Sequence, residues 1–266
     1  MPSKLFRPGT TGVDGYVYTT VGSPGATWAD LRAYTNVTDI HANYAGAGAK
    51  AGLVSTDSSG KWWAIFRGVV VFDVSELGRN IVIDSATLSL YGIGKADDIS
   101  VSPTINIYTF NKNTGDTIVS PLDYNRIYKY GFNPACDTAI TYAGWNASGW
   151  NNFSLNTAGR NWIDPTSTAT FAIRIANYDV SGTTPAWSVA GTNYASFDWD
   201  TGETSEAVAP KLAVYYHTAT PSPTAPGTKK IISLEAIRNI EMESLGRAYI
   251  DKDGLFVYEG RYYRSY

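Results

Sequence analysis

Two histidines, His41 and His217, and one cysteine, Cys136, are the side chains of this sequence that titrate or attack as nucleophiles near neutral pH. None stands in a catalytic spacing. His217 trails a strand-like run and His41 falls in a Gly/Ala-rich stretch, so solvated or hydrogen-bonded imidazoles are the simpler reading. Cys136, in Asn133-Pro134-Ala135-Cys136-Asp137, would need a histidine brought to it by the fold; a buried, inert thiol is expected instead. Carboxylates cluster at Asp97-Asp98 and at Asp198 and Asp200, with Glu203 and Glu206 nearby. A glycosidase needs two of them across a cleft, and nothing selects a pair, so loop carboxylates on a solvated rim are expected. Asp198, Asp200 and Glu203 offer closely spaced oxygens on a tight loop and are the candidate ligands of a structural Ca²⁺, although the spacing is not that of an EF-hand. The run Ala45-Gly46-Ala47-Gly48-Ala49-Lys50-Ala51-Gly52 lacks the Gly-Lys-Ser/Thr ending of a phosphate-binding loop and reads as flexible loop. The expectation is a protein that is not an enzyme, with no cofactor beyond that calcium.

Aromatic chemistry is better represented. There are 8 Trp and 19 Tyr, and a pyranose packs its C–H face against such rings. Trp62, Trp63, Trp187 and Trp199 are the candidate carbohydrate-binding residues. If the Trp62-Trp63 segment is extended, one of the pair must face outward. Core packing or a subunit interface competes with sugar at each position.

The elements that must position these residues are strands. Hydrophobic residues make up 44% of the 266-residue chain, enough to bury a sizeable core, and Met is nearly absent at 2. Aromatic, Thr- and Val-rich composition favours strands, with Asn, Gly, Ser and Thr supplying turns. Strand patterns recur at Asp14 to Thr19, Arg67 to Asp73, Ser85 to Tyr91, Thr104 to Phe110, Trp150 to Leu155, Thr170 to Ala176 and Lys211 to Tyr216. Short helices are expected over Pro121 to Tyr130, after Ser120, and over Asn156 to Asp164. The fold class read from this is all-β: a jelly-roll β-sandwich of two antiparallel sheets. Three prolines in Ala219-Thr220-Pro221-Ser222-Pro223-Thr224-Ala225-Pro226-Gly227 make an extended linker. From Lys229 to Tyr266, 13 of 38 residues are charged, against 32 of the preceding 228, so composition changes there. A helix from Leu234 to about Leu245, capped by Ser233, and a hairpin turning at Asp253-Gly254 are expected in that small C-terminal appendage. The expected organisation is a sandwich over 1–218, a linker over 219–228 and a docking segment over 229–266. A helix and one hairpin bury little surface, so the segment is expected to dock on something else.

Net charge is −3 with no basic stripe, which argues against nucleic acid as a partner. Runs such as Val69-Val70-Val71-Phe72 are strand-length, so no membrane insertion is expected. Met1 to Gly9 shows no apolar core of a signal peptide, and a single cysteine rules out an internal disulfide, which suits assembly in a reducing compartment.

The ordered succession Phe66-Arg67-Gly68-Val69-Val70-Val71-Phe72-Asp73-Val74, Ile83-Asp84-Ser85-Ala86-Thr87-Leu88-Ser89-Leu90-Tyr91 and Ala209-Pro210-Lys211-Leu212-Ala213-Val214-Tyr215-Tyr216 resembles the DNRLRE-type β-sandwich, a jelly-roll module similar to carbohydrate-binding modules. The resemblance spans roughly residues 12 to 217 and departs from the family in the Tyr/Asn-rich stretch from Asn111 to Gly149. Beyond the linker, Leu234-Glu235-Ala236-Ile237-Arg238-Asn239-Ile240-Glu241 followed by Gly246-Arg247-Ala248-Tyr249-Ile250-Asp251 and Val257-Tyr258-Glu259 resembles a segment of tailed-bacteriophage minor tail proteins. Together these imply a tail- or capsid-associated virion protein, assembled in the host cytoplasm, with other virion subunits as partners and homo-oligomers as the expected state. Ile237, Ile240, Tyr249, Phe256, Tyr258 and Tyr262 are the candidate subunit-docking residues, and a host-surface or environmental glycan is the candidate ligand. The alternative is a free, extracellular carbohydrate-binding module of a polysaccharide-degrading system.

Overall fold

The chain divides after Ala219 into two units. The structure, a computed structural model, describes residues 2–9, 13–33, 39–43, 48–111, 119–187, 191–202, 205–219, 247–250 and 256–259. In the first unit the strands are β1 Ser3–Phe6, β2 Asp14–Thr20, β3 Asp39–Asn43, β4 Ala49–Ser55, β5 Trp62–Asp73, β6 Ile81–Asp97 and β7 Thr104–Thr109. They continue as β8 Asn133–Pro134, β9 Ile140–Thr141, β10 Trp150–Ser154, β11 Thr168–Ile175, β12 Tyr194–Trp199 and β13 Lys211–Thr218. Helices α1 Trp28–Ala33, α2 Asp123–Tyr130 and α3 Thr157–Asn161 are short. The fold is all-β with small helices, as the alternating runs predict.

One sheet has the order β1-β13-β6-β10, every pair antiparallel. Its strands alternate: Ala86, Leu88 and Leu90 of β6 face the core with Leu212, Val214, Phe153 and Phe6, while Ser85 and Thr87 face outward. The other sheet is built on β5. β2 pairs along one side of it and carries β3 at its edge. On the opposite side β5 forks: its first half pairs with β4, its second with β11. The β4 branch continues to β12, and the β11 branch to β7. Val70, Phe72, Phe171 and Ile173 meet the first sheet's apolar face in one large core.

The two antiparallel sheets share a strand. β6 is 17 residues long and serves both. Its first part pairs with β13 and β10, and Gly92–Asp97 pairs with β12, so the sandwich is one ladder folded over. The register slips beside Asp198 and Trp199, leaving Ile93 outside it. A side chain at Gly92 would lie 2.0 Å from the Asn146 carbonyl oxygen, so the bend requires glycine.

The far face of the β5 sheet is covered as well. Val17, Val69 and Val71 pack on Tyr124 and Ile127 of α2; Val21, Leu53 and Ile65 pack on Trp28 and Leu31 of α1. Burial on both faces is why β5 reads as an unbroken apolar run and does not alternate. α2 starts at Asp123, whose carboxylate accepts the Ser120 N–H at 2.9 Å, and the Asn156 side chain caps α3 by accepting the Gly159 N–H. Both helices fall where the sequence places them. Two expectations fail: Ala49–Gly52 is strand, not loop, and His41 lies on β3.

Charge is buried at the junction of the helices and the sheet. Arg67 of β5, Arg174 of β11 and Asp179 are each almost wholly buried. Asp179 sits in a π-helical turn, Ala176–Val180, after β11. Arg174 donates to Asp179 Oδ2 at 2.7 Å and to the carbonyls of Ile127 and Gly131. Arg67 donates to the Tyr124 and Arg32 carbonyls and lies 4.0 Å from the centre of the Tyr124 ring. The two guanidiniums therefore fasten α1, α2 and the π-turn to the sheet.

In the second unit β14 Arg247–Ile250 pairs antiparallel with β15 Phe256–Glu259. The hairpin is present where the sequence places it. The expected helix and the Asp253-Gly254 turn lie outside the described residues.

Candidate functional site

The four candidate tryptophans separate by position. Trp62 and Trp199 are wholly buried. Trp62 packs edge-on against Trp28 at 5.3 Å, and Trp199 ends β12 over Gly68 in the core. Neither can offer a face to sugar, which corrects the expectation for both. The signal missed at Trp199 was that Tyr194–Trp199 is a strand, with inward and outward alternation, and not a loop. Trp63 is the outward member of its pair, 38% exposed. It stands opposite a register shift in β4 between Val54 and Ser55, which leaves Trp63 as the extra residue of β5 in that ladder.

Trp63 forms one wall of a cavity of about 180 Å³. Engineered cavities of about 150 Å³ hold a single benzene ring, so the space suits one six-membered ring. The loop after β2, Gly22-Ser23-Pro24-Gly25, makes a second wall. Gly25 closes it: its N–H donates to the Gly22 carbonyl at 2.8 Å, and its φ of +92° together with a Thr56 methyl 2.8 Å from where a Cβ would sit excludes other residues. Thr56, Asp57 and Ser58 from the loop after β4 and Thr192 from the loop before β12 complete the lining.

These loops are stitched to one another. Thr56 Oγ1 donates toward the Pro24 carbonyl at 3.3 Å and accepts the Ser58 N–H at 3.2 Å. Half-buried Trp187 donates its indole N–H to the Thr56 carbonyl at 3.0 Å. Ser55 Oγ donates to the Gly191 carbonyl at 3.2 Å. Thus Trp187 is brought to the same neighbourhood as Trp63, as a brace of the loop. The arrangement sets one exposed indole face beside an exposed carboxylate, Asp57, with hydroxyls of Ser23, Ser58 and Thr192 around it. An apolar ring face with convergent hydrogen-bonding groups can hold a sugar. Asp57, Ser23 and Thr192 were not singled out from sequence. The turn signals Ser-Pro-Gly at 23–25, Ser-Ser-Gly at 58–60 and Gly-Thr at 191–192 mark the loops, but only folding brings them together.

The metal candidates part company. Asp198 faces Lys50, with Oδ1 3.8 Å from the ammonium nitrogen, and accepts from Ser196 Oγ at 3.4 Å. Burial pushes its carboxyl above the ordinary value, and Lys50 and Ser196 only partly offset this. Asp200 is buried next along the chain, with its N–H on the Tyr91 carbonyl, and Glu203 lies outside the described residues. Among the described residues no three His, Cys, Asp or Glu side chains stand together as a metal site. Asp97 and Asp98 hold the turn before β7: Asp97 accepts the N–H groups of Val101 and Ser102, and Asp98 that of Tyr194.

Cys136 is buried, and burial, then the charge of Asp137, push its thiol up to about 12. His217 pairs with Asp84 at 2.9 Å on the surface, and His41 stacks on Tyr18 at 4.9 Å. Of the docking candidates, Tyr249, Phe256 and Tyr258 lie on β14 and β15, opposite Val257, Ile250 and Ala248. Ile237, Ile240 and Tyr262 lie outside the described residues. No described helix is long and apolar enough to cross a membrane.

No protein-family model matches the chain, and the search of curated proteins returned no relative. Its class therefore rests on its own geometry: an all-β antiparallel sandwich with a cavity at one loop cluster.

Proposed function

We propose that this protein is a non-catalytic, glycan-contacting structural component of a tailed-bacteriophage particle. Its sandwich, a jelly roll of the DNRLRE type in this reading, holds a host-surface or environmental sugar, and its C-terminal segment docks on another virion subunit. The observation that carries the glycan half is the cavity beside Trp63, sized for one ring and edged by Asp57 and three hydroxyl side chains. The assembly half is supported by the separate C-terminal unit and its hairpin, which fits the spacing Gly246-Arg247-Ala248-Tyr249 to Tyr258-Glu259.

Two measurements test the two halves. A glycan array probed with the full chain should give binding that Trp63→Ala removes; a parent protein that binds nothing ends the glycan half. Mass spectrometry of purified particles should find this polypeptide among the virion subunits. Its absence from particles, with a sugar-binding parent, would leave a free carbohydrate-binding module of a polysaccharide-degrading system as the better reading.

A further inference from the structure

Away from the Trp63 cavity, β5 and the strands beside it carry a second set of groups. Cross-strand register places Tyr18 of β2 opposite His41 of β3 and Phe66 of β5, and Phe66 opposite Gly52 of β4. Residues directly opposite in a ladder share a face. The rings confirm it: Tyr18 lies 5.2 Å from Phe66 and Tyr16 lies 5.7 Å from it. Next to them, Lys50 of β4 stands opposite Asp198 of β12, and its ammonium is 5.4 Å from the centre of the Phe66 ring. Gly52 keeps the surface low between rings and ion pair, because a Cβ there would come 2.8 Å from the Cβ of Ser196.

The hydrogen-bonding capacity of this patch is only partly used. At 3.8 Å the Lys50–Asp198 contact is an ion pair but too long for a hydrogen bond. The Asp198 side chain is 27% exposed and accepts a hydrogen bond from Ser196 Oγ, while the Lys50 side chain, 32% exposed, carries three N–H donors. The two charges cancel, so the patch offers no net attraction to a phosphate or to a metal ion. It offers an acceptor and a donor side by side, next to an aromatic surface whose Tyr18 ring is partly exposed. Two neighbouring hydroxyls on a pyranose match that pair, one donating to Asp198 and one accepting from Lys50. The C–H face of the sugar then lies on Tyr18.

We infer that the face bearing Tyr18, Phe66, Lys50 and Asp198 is a second carbohydrate-contact surface, selective for a neutral sugar with adjacent free hydroxyls. This rests on the reading of the protein as glycan-contacting. It assigns Asp198 a role in recognition in place of the calcium role expected from sequence.

The test uses the full chain titrated calorimetrically with neutral gluco- and manno-oligosaccharides of four to six units. Tyr18→Ala and Asp198→Asn should each weaken the parent's affinity about tenfold or more, the scale of one lost charged hydrogen bond or one stacked ring. Tyr18→Phe, which keeps the ring, should bind as the parent does and so separates stacking from misfolding. Loss of binding in Trp63→Ala with parental affinity in Tyr18→Ala and Asp198→Asn would overturn this inference and leave the pocket reading intact. The reverse pattern would support this face and remove the pocket. A parent that binds none of these sugars overturns both.

Discussion

Arg67 and Asp179, on β5 and in the π-turn after β11, meet in the interior through two hydrogen bonds of 2.9 and 2.7 Å. Arg174 reaches the same carboxylate, so one buried anion holds two buried cations. The Arg32 carbonyl of α1 and the Tyr124 and Ile127 carbonyls of α2 accept further N–H groups of the two arginines, which makes this a joint between helices and sheet. Removing the anion strands the cations. Asp179→Asn should therefore lower stability by about 3–5 kcal/mol, the usual cost of breaking one side of a buried pair. Urea denaturation followed by tryptophan fluorescence will show it; an unchanged midpoint would mean the pair contributes nothing net.

The same carboxylate sets a pH dependence. Burial raises its pKa, but the charges of Arg174 and Arg67 outweigh burial and hold it well below the ordinary carboxylate range. A depressed folded value gives stability that is fully present above the unfolded value of about 3.9 and is lost as pH falls through the folded one. The stability gap between the parent and Asp179→Asn should thus be complete at neutral pH, begin to narrow as pH approaches about 4 and go on narrowing in stronger acid. Urea midpoints of the two proteins across the acid range will check this, and a gap that closes above about pH 4 would contradict it.

Cys136 should be silent in the folded protein. A thiol pushed up to about 12 by burial carries almost no thiolate near neutral pH. Alkylation by iodoacetamide should be slow in the native protein and fast in urea. Equal rates in the two would show that the thiol is accessible.

Adjacent tryptophans should behave oppositely. Trp62→Ala empties a fully buried site and should cost about 3–5 kcal/mol. Trp63→Ala, at a partly exposed cavity wall, should cost about 1 kcal/mol or less while removing sugar binding. Thermal melts of the two variants beside one glycan titration will separate the roles.

Gly68 is a packing requirement of the fork in β5. A Cβ there would come 2.4 Å from the Trp199 ring. Gly68→Ala should destabilise by about 1–3 kcal/mol through overpacking and shift the tryptophan emission. A variant as stable as the parent would show that the ring moves aside freely.

Strands with clear alternation, such as β13 and the Ser85–Leu90 part of β6, were legible because one face of each is buried and period two survives in the residues. β4 was not, because its Ala and Gly content reads as loop; the small residues are demanded by the close approach of β12, which the sequence of β4 does not encode. β12 was hidden by its polar outward residues Ser196 and Asp198. The Trp62-Trp63 pair announced one inward and one outward ring but not which. Lys50 and Asp198 lie too far apart in the chain for spacing to link them, and only the β4–β12 register does so. Arg67 and Arg174 stood inside runs read correctly as buried strands, yet their shared anion sits in a turn without a sequence signature.

The pairing of β1 with β13 sets the order in which a nascent chain can finish. Ser3 aligns with Tyr215 and Phe6 with Leu212, so the first strand of the unit waits for its last. Until Lys211–Thr218 has been synthesised, β6 also lacks the neighbour that covers its long side. Closure of the sandwich is then the last step in the folding of this unit. A polypeptide released before that strand carries a bare edge on β6, open to pairing with another chain.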